Sequence, residues 1–180
     1  MINTNYKKNK LQIITFIILG ALPLFMDSYY LDNISYFMCW TFISLGLAVI
    51  WGMGGILSFG QTAFFGLAGY GFSVISINFL GVAGVSLWSI VLALVLTGIF
   101  GLIVGYFLFY GGIYDVFVGI VTLAITLVLE TFMQQTAGPE YAIGTARLNG
   151  FNGMQGMPTI GFESIPFGLV EGVTQYYFIL

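Results

Sequence analysis

The sequence predicts an all-α, polytopic membrane protein: a helical bundle with about five full spans and the start of a sixth. Of its 180 residues, 59% are hydrophobic and only 6% are charged, and long stretches carry no charge at all. A soluble domain carries about 25% charged residues, so an ordinary soluble domain is excluded. The apolar content also excludes a disordered chain. The glycines follow no three-residue period, which excludes collagen.

The spans are predicted to be helices rather than barrel strands. Every backbone polar group at membrane depth needs a partner inside the protein, so only helices and closed barrels cross a bilayer. Barrel strands alternate apolar and polar residues over segments of about ten. Here the runs are continuously apolar, as from Ile90 to Leu96, and this indicates helices.

Charged residues and glycines divide the chain into these spans. A helical span needs about 20 residues to cross roughly 30 Å of hydrocarbon, and no charge occurs from Asn33 to Tyr114. The predicted spans lie at 11–26, 34–53, 59–79, 88–109 and 116–137. A glycine-rich broken or re-entrant segment is predicted near 52–60. An outer loop is predicted over 138–174, and a sixth span begins at 176–180, so the chain is expected to be part of a longer protein.

The basic residues orient the predicted spans. Three of the four lie within the first ten positions, which places the N-terminus in the cytoplasm by the positive-inside rule. Five alternating spans then put the loop 138–174 outside. A cleaved signal peptide is the alternative interpretation of 11–26. No small-residue cleavage site follows this segment, which favours a retained first span.

Several kinds of chemistry are excluded by composition. The chain has no His, so neither a His-based metal site nor a Ser-His-Asp triad is possible within it. The single Cys39 permits no intrachain disulfide. The net charge of −3 is thinly spread and does not suggest a nucleic-acid partner. We therefore predict no catalytic residue and no metal ligand.

Three glycines in the fourth predicted span are expected to mediate helix packing. Gly98, Gly101 and Gly105 recur at spacings of three and four residues, so they lie near one helical face. Small residues at this spacing let two helix backbones approach closely in a membrane. An alternative is that they form a groove along which a neighbouring helix slides during transport.

One uncharged segment is unusually polar. The residues predicted to line a substrate pathway are Ser58, Gln61, Thr62, Phe65 and, from the fifth span, Thr122. The first four lie near one helical face together with Gly69. An amide buried in lipid without a partner is costly, so this face should meet other helices or a wet cavity. The alternatives are that these side chains only join helices, and that Thr122 bonds its own helix backbone.

Three ordered blocks carry a resemblance to a known family. The first is GILSFGQTAFFGLAGY at 55–70; the second combines GIY at 112–114 with VTLA at 121–124; the third is LNGFNGMQGMP at 148–158. Together they resemble the permease subunits of branched-chain amino acid ABC importers, a family that includes permeases for urea and short amides. One departure is Asn149, which stands where the family loop usually has the second glycine of a pair.

The resemblance implies a single transmembrane permease domain over 1–180, the N-terminal part of a longer chain, in a bacterial or archaeal cytoplasmic membrane. It implies ATP-driven alternating access without enzymatic activity in this chain. ATP–Mg would bind two cytoplasmic ATPase subunits, since the sequence has no Gly-x-x-x-x-Gly-Lys-Ser/Thr motif. A second related permease subunit and an extracytoplasmic solute-binding protein would complete the complex. The expected solute is a branched-chain amino acid, with urea or a short amide as the alternative.

The resemblance also assigns a partner to the outer loop. Arg147, Asn149 and Asn152 are expected to face the binding protein. Ordinary solvated charge is the alternative interpretation of Arg147.

Glu130 supports a different transport hypothesis. It lies inside the fifth predicted span, where acids are costly and are functional candidates. A secondary transporter could use Glu130 as its proton or cation site. The structural alternative is that Glu130 pairs with Gln134, one turn later, near the outer boundary. A third hypothesis is a membrane anchor or assembly subunit that transports nothing.

Overall fold

The computed structural model describes residues 2–82 and 84–158, with side chains from Lys10 onward. Its elements are α1 (Ile2–Ala21), a short 3-10 helix (Leu22–Leu24), α2 (Ser28–Gly54), α3 (Gln61–Asn78), α4 (Val85–Tyr110), α5 (Val116–Gln135), β1 (Ala142–Ile143) and β2 (Ala146–Arg147). The predicted all-α class is confirmed. The two short strands add a small antiparallel hairpin in which Ala142 pairs with Arg147.

Three helices, not five, are long and apolar enough to cross a membrane among the described residues: α2, α4 and α5. The prediction of five full spans is therefore not supported. The apolar stretch Lys10–Leu24, which runs from α1 through the 3-10 helix, is shorter than these three. The predicted span 59–79 corresponds to α3, which has 18 residues and rises about 27 Å at 1.5 Å per residue. Glycines, serines and terminal amides make α3 less apolar than α2, α4 and α5, and its polarity, not its length, separates it from the three spans.

The described residues divide into two compact units, one that ends at residue 42 and one that begins at residue 43. The described part of the first unit contains α1, the 3-10 helix and the beginning of α2. Pro23 lies within the 3-10 helix. Because proline has no backbone N–H to donate and clashes with the preceding turn, α1 cannot continue through it. The glycine-rich break after α2, the helices α3, α4 and α5 and the hairpin all lie within the second unit.

A glycine break separates α2 from α3, as predicted near 52–60. The helix ends at Gly54, and Gly55 has a positive φ of 67°. This left-handed conformation is accessible to glycine without the penalty of a side chain. Residues 55–60 have no helical structure, and α3 begins at Gln61. The backbone groups of this segment therefore need partners outside a helix.

Small residues bring α3 and α4 together as an antiparallel pair. The Phe64 and Phe100 rings meet edge to face with centroids 5.7 Å apart. Further along, a Cβ placed on Gly71 would lie 3.5 Å from the Ala93 Cβ. Ser76 and Ser89 are fully buried. Close approach through small side chains is typical of helix pairs in membranes, and here it fixes the position of α3.

The described part of the predicted outer loop, residues 138–158, contains the β1–β2 hairpin. Asn78, the last residue of α3, holds this hairpin through its side-chain amide. Its Nδ2 donates to the Ile143 carbonyl at 2.8 Å, and the Thr145 backbone N–H donates to its Oδ1 at 2.8 Å. The hairpin therefore lies at the end of α3 that is remote from the glycine break. The rest of the loop, 159–174, and the beginning of a sixth span at 176–180 lie outside the described residues.

Candidate functional site

Two threonines on α5 bind the backbone of the broken segment. The Phe59 N–H donates to the Thr122 Oγ1 at 3.1 Å. The Thr126 hydroxyl has one hydrogen to donate and two acceptors within reach, the Phe59 carbonyl oxygen at 3.1 Å and the Thr122 carbonyl oxygen of its own helix at 2.9 Å. The two hydroxyls are one helical turn apart, so they reach both polar groups of one non-helical residue. We call this arrangement the threonine clamp (Thr122 and Thr126). It gives hydrogen-bond partners to the Phe59 backbone groups, which have no helical partners because the helix is broken here.

Glycines allow the broken segment to approach α5 closely. A Cβ on Gly119 would lie 3.1 Å from the Leu57 carbonyl oxygen, and a Cβ on Gly60 would lie 3.3 Å from the Thr122 Cβ. Ser58 is buried, and its Oγ accepts a hydrogen bond from the Gly60 N–H at 3.3 Å. Without side chains at Gly60 and Gly119, the backbone comes near enough for the threonine clamp to form.

A cavity of about 410 Å³ opens beside the clamp, between α3 and α5. Such a volume falls within the roughly 300–1,000 Å³ of small-molecule pockets. The residues that line it are Thr62, Ala63, Gly66, Leu67, Tyr70, Thr126, Leu129, Glu130, Met133, Gln134, Gly150 and Phe151. Those from α3 and α5 recur every three or four positions, so each helix presents one face. Polar and apolar side chains both contribute, which suits a solute with both characters.

Glu130 and Gln134 form the polar part of the wall on α5. The Gln134 Nε2 donates to the Glu130 Oε1 at 3.2 Å, so the predicted pairing one turn apart is present. Both side chains are exposed and line the cavity. The pairing does not remove Glu130 from the site, because the carboxylate has a second oxygen and remains accessible.

The predicted pathway residues occupy different places. Thr62 lines the cavity, whereas Ser58 and Thr122 are buried at the junction between the break and α5. Thr122 also donates to its own helix, with the Val118 carbonyl at 2.8 Å. Gln61 is half-buried, with its Oε1 3.5 Å from where a Cβ of Gly46 would be. Phe65 is 52% exposed and does not line the cavity.

Sequence reasoning missed several residues of the site. Thr126 and Tyr70 are the clearest cases, since each lies at helical spacing from a predicted residue: Thr126 one turn after Thr122, and Tyr70 two turns after Thr62. Extending the two predicted faces along their helices would have found both. Gly150 and Phe151 come from the loop after α5, and no local pattern connects them with α3.

Three glycines were predicted to pack helices. Among the described residues, a Cβ added to Gly101 would have another residue within 4 Å, and a Cβ added to either of the other two would not. That neighbour is the Phe64 ring, at 3.5 Å. A Cβ on Gly98 or Gly105 would meet nothing within 4 Å. The residues of α4 that contact α3 closely include Ala93 and Gly101, which lie on one face of α4 at multiples of four residues. Gly98 does not belong to this row.

Asn149 stabilises the loop after α5 through a local side-chain hydrogen bond. Asn149 has a positive φ of 46°, and its Nδ2 donates to the Gly153 carbonyl at 2.9 Å. Asparagine tolerates this left-handed conformation better than most residues, which is consistent with its standing at a usual glycine position. Arg147 and Asn152 are exposed on this loop.

Gly150 is the loop residue with least room. Its N–H donates to the Thr136 carbonyl at 3.3 Å, and a Cβ on it would overlap the Met133 carbonyl oxygen. We expect Gly150→Ala to destabilise the protein by about 1–3 kcal/mol, since an extra methyl in a filled site forces the backbone to move. Gly69→Ala is the matched control, because a Cβ there would meet nothing within 4 Å. Thermal unfolding of the detergent-purified variants measures the effect. Equal stability of the two would contradict this account of the loop.

Comparison with known proteins gives one match. The family model described as the branched-chain amino acid transport system / permease component matches residues 29–179. The chain belongs to this family. No curated protein and no solved structure matches.

As a permease component, the chain is a multi-pass membrane protein of a transport system and is not itself an enzyme. The matched range includes the glycine break, the threonine clamp and the cavity. No group of three or more His, Cys, Asp or Glu that could hold a metal ion occurs in the part of the chain that the structure describes.

Proposed function

We propose that this permease component is the passive membrane subunit of an ATP-driven importer and that the cavity between α3 and α5 forms part of the path of a small polar solute. The observation that carries the proposal is the cavity itself: a polar and apolar pocket directly after a helix break. Broken helices at which backbone and side chains meet a cavity are a recurring device of transport sites. The family description favours a branched-chain amino acid as the solute.

The lining of the cavity supports such a solute. Leu67, Leu129 and Met133 offer an apolar wall for a branched side chain, while Thr62 and Glu130 offer polar groups. Ligand sites commonly combine a mainly apolar lining with a few polar groups that fix orientation. Urea and short amides would leave the apolar wall without a partner.

The proposed complex has further subunits. A second related permease would complete the pathway, two cytoplasmic ATPase subunits would bind ATP–Mg, and an extracytoplasmic binding protein would deliver the solute. We place the complex in the cytoplasmic membrane of a bacterium or archaeon with the N-terminus inside. The exposed Arg147 and Asn152, on the loop that follows α5, would then face the binding protein.

The threonine clamp suggests how motion would reach the cavity. The clamp joins the segment just before α3 to the middle of α5, through the backbone of the non-helical residue Phe59. A rotation of either helix would change the width of the cavity between them. In the proposed cycle, ATP binding and hydrolysis in the partner subunits drive this change and alternate access to the two sides.

The accessible carboxylate of Glu130 favours a second candidate function, ion-coupled transport. Its position in the cavity wall would suit a proton or cation site. Such a transporter would work without ATPase subunits, which separates it from the first proposal.

The test is solute uptake into proteoliposomes that contain the full complex. We expect leucine uptake that requires ATP, the binding protein and catalytically intact ATPase subunits. A complex with an inactivated nucleotide site is the control and should take up only background amounts. Uptake driven by an ion gradient without the ATPases would overturn the ATP-driven proposal in favour of the ion-coupled one. A complex that assembles but moves no solute under either driving force would favour an anchor or assembly subunit.

A further inference from the structure

The charge of the cavity wall is unbalanced. Glu130 is the sole charged residue among the described residues that line the cavity. The sequence contains no Lys or Arg between Lys10 and Arg147, so neither α3 nor α5 offers a basic side chain to it. The one hydrogen bond from the described residues comes from the neutral Gln134 amide. A carboxylate in a membrane protein is costly without a positively charged partner.

The position of Glu130 makes the carboxylate available to a ligand. It is the fifteenth of the 20 residues of α5, which places it about 7–8 Å inside the helix end at 1.5 Å per residue. Phe151, which is 74% exposed, contributes to the same cavity from the loop after α5.

Other groups around Glu130 complete a site for a cation with hydrogen-bond donors. Thr62 and Thr126 contribute hydroxyls, and Tyr70 contributes a phenol. Aromatic faces attract cations, and an ammonium has three N–H groups that need acceptors. The apolar Leu67 and Leu129 lie in the same wall.

We propose that the Glu130 carboxylate binds the ammonium group of the solute in this cavity. The inference rests on the proposed function, whose expected solute already carries an amine, and goes further because it assigns the residue that receives that amine. The ammonium supplies the positive charge that the described residues lining the cavity lack. Neutral solutes such as urea and amides would leave the carboxylate unpaired.

The experiment measures ligand protection inside the cavity and does not depend on the binding protein. A complex with Cys39→Ala and Thr62→Cys carries one cysteine in this chain, in the cavity wall. A water-soluble thiol reagent labels it in the presence of 3-methylbutylammonium or 3-methylbutanol, which share a carbon skeleton and differ in the charged amine. We expect the ammonium compound to slow labelling and the alcohol to have little effect. Glu130→Gln should weaken this protection by about tenfold or more in apparent affinity.

Controls separate binding from folding. Glu140→Gln removes an acid from the exposed loop outside the cavity and should leave protection unchanged. Glu130→Asp keeps the charge and should retain part of the protection. If the Glu130→Gln variant does not assemble, the difference in protection between 3-methylbutylammonium and 3-methylbutanol on the parent complex still tests the inference. Equal protection by both compounds, or full protection in Glu130→Gln, would overturn the inference while ATP-driven uptake kept the proposed function intact. Loss of uptake in the parent complex would instead refute the proposed function.

Discussion

Thr122→Val is expected to destabilise the permease component by about 1–3 kcal/mol and to reduce solute uptake, because it leaves the Phe59 N–H without its acceptor. Valine has nearly the shape of threonine, so the substitution removes the hydroxyl and little else. Thr122 is 5% exposed, and its Oγ1 lies 3.1 Å from the Phe59 nitrogen. Water therefore has poor access to replace the lost bond. Uptake should fall because the beginning of α3 is no longer fixed to α5.

Thr131→Val is the matched control, since Thr131 is exposed on the same helix and does not line the cavity. It should change neither thermal stability in detergent nor uptake by the reconstituted complex. Thr126→Val provides a second comparison, as Thr126 bonds the carbonyl of the same Phe59 residue. The two clamp substitutions should be non-additive because they act on one shared partner. A Thr122→Val protein as stable as Thr131→Val would refute the threonine clamp.

Local features of this fold could be predicted from the sequence. The helix break follows from Gly54 and Gly55, because a left-handed residue after a helix is a strong local stop signal. The apolar helices α4 and α5 follow from long uncharged runs, and the structure reproduces both to within a few residues. The number of spans could not be fixed in this way. The prediction depended on the absence of charge over 59–79, whereas crossing lipid also requires a degree of apolarity that α3, with its glycines, serines and terminal amides, does not reach.

Contacts between distant residues were the features that the sequence could not specify. Thr126 meets Phe59 across 67 positions, and nothing in the residues near either one indicates the pairing. Thr62 was correctly singled out as polar, but its place in a cavity, and that of Thr122 in a clamp, depend on how α3 and α5 lie side by side. Helix periodicity predicts which side chains share a face; it does not predict what that face meets.

Small residues illustrate the same limit. Gly98, Gly101 and Gly105 were grouped because glycine is the smallest residue, yet among the described residues Gly101 has a close neighbour from another helix and Gly98 has none. The row that faces α3 includes Ala93 and is defined by its contacts with Phe64 and Gly71. Several small-residue rows on one helix are equivalent in sequence, and the partner helix decides which of them is used.

A cysteine at Thr62 tests most directly whether solute passes through the cavity. In a Cys39→Ala background, Thr62→Cys should react with a water-soluble thiol reagent, because Thr62 is exposed and lines the cavity. Thr131 is exposed on α5 and does not line the cavity. We expect Thr131→Cys to face lipid and therefore to react poorly with a water-soluble reagent. The bulky adduct at residue 62 should abolish most ATP-driven uptake, since it occupies the space between α3 and α5, while the same treatment of the Thr131→Cys complex should leave uptake unchanged. Complete labelling of residue 62 with undiminished uptake, or no labelling in any state of a working complex, would show that the solute takes another route.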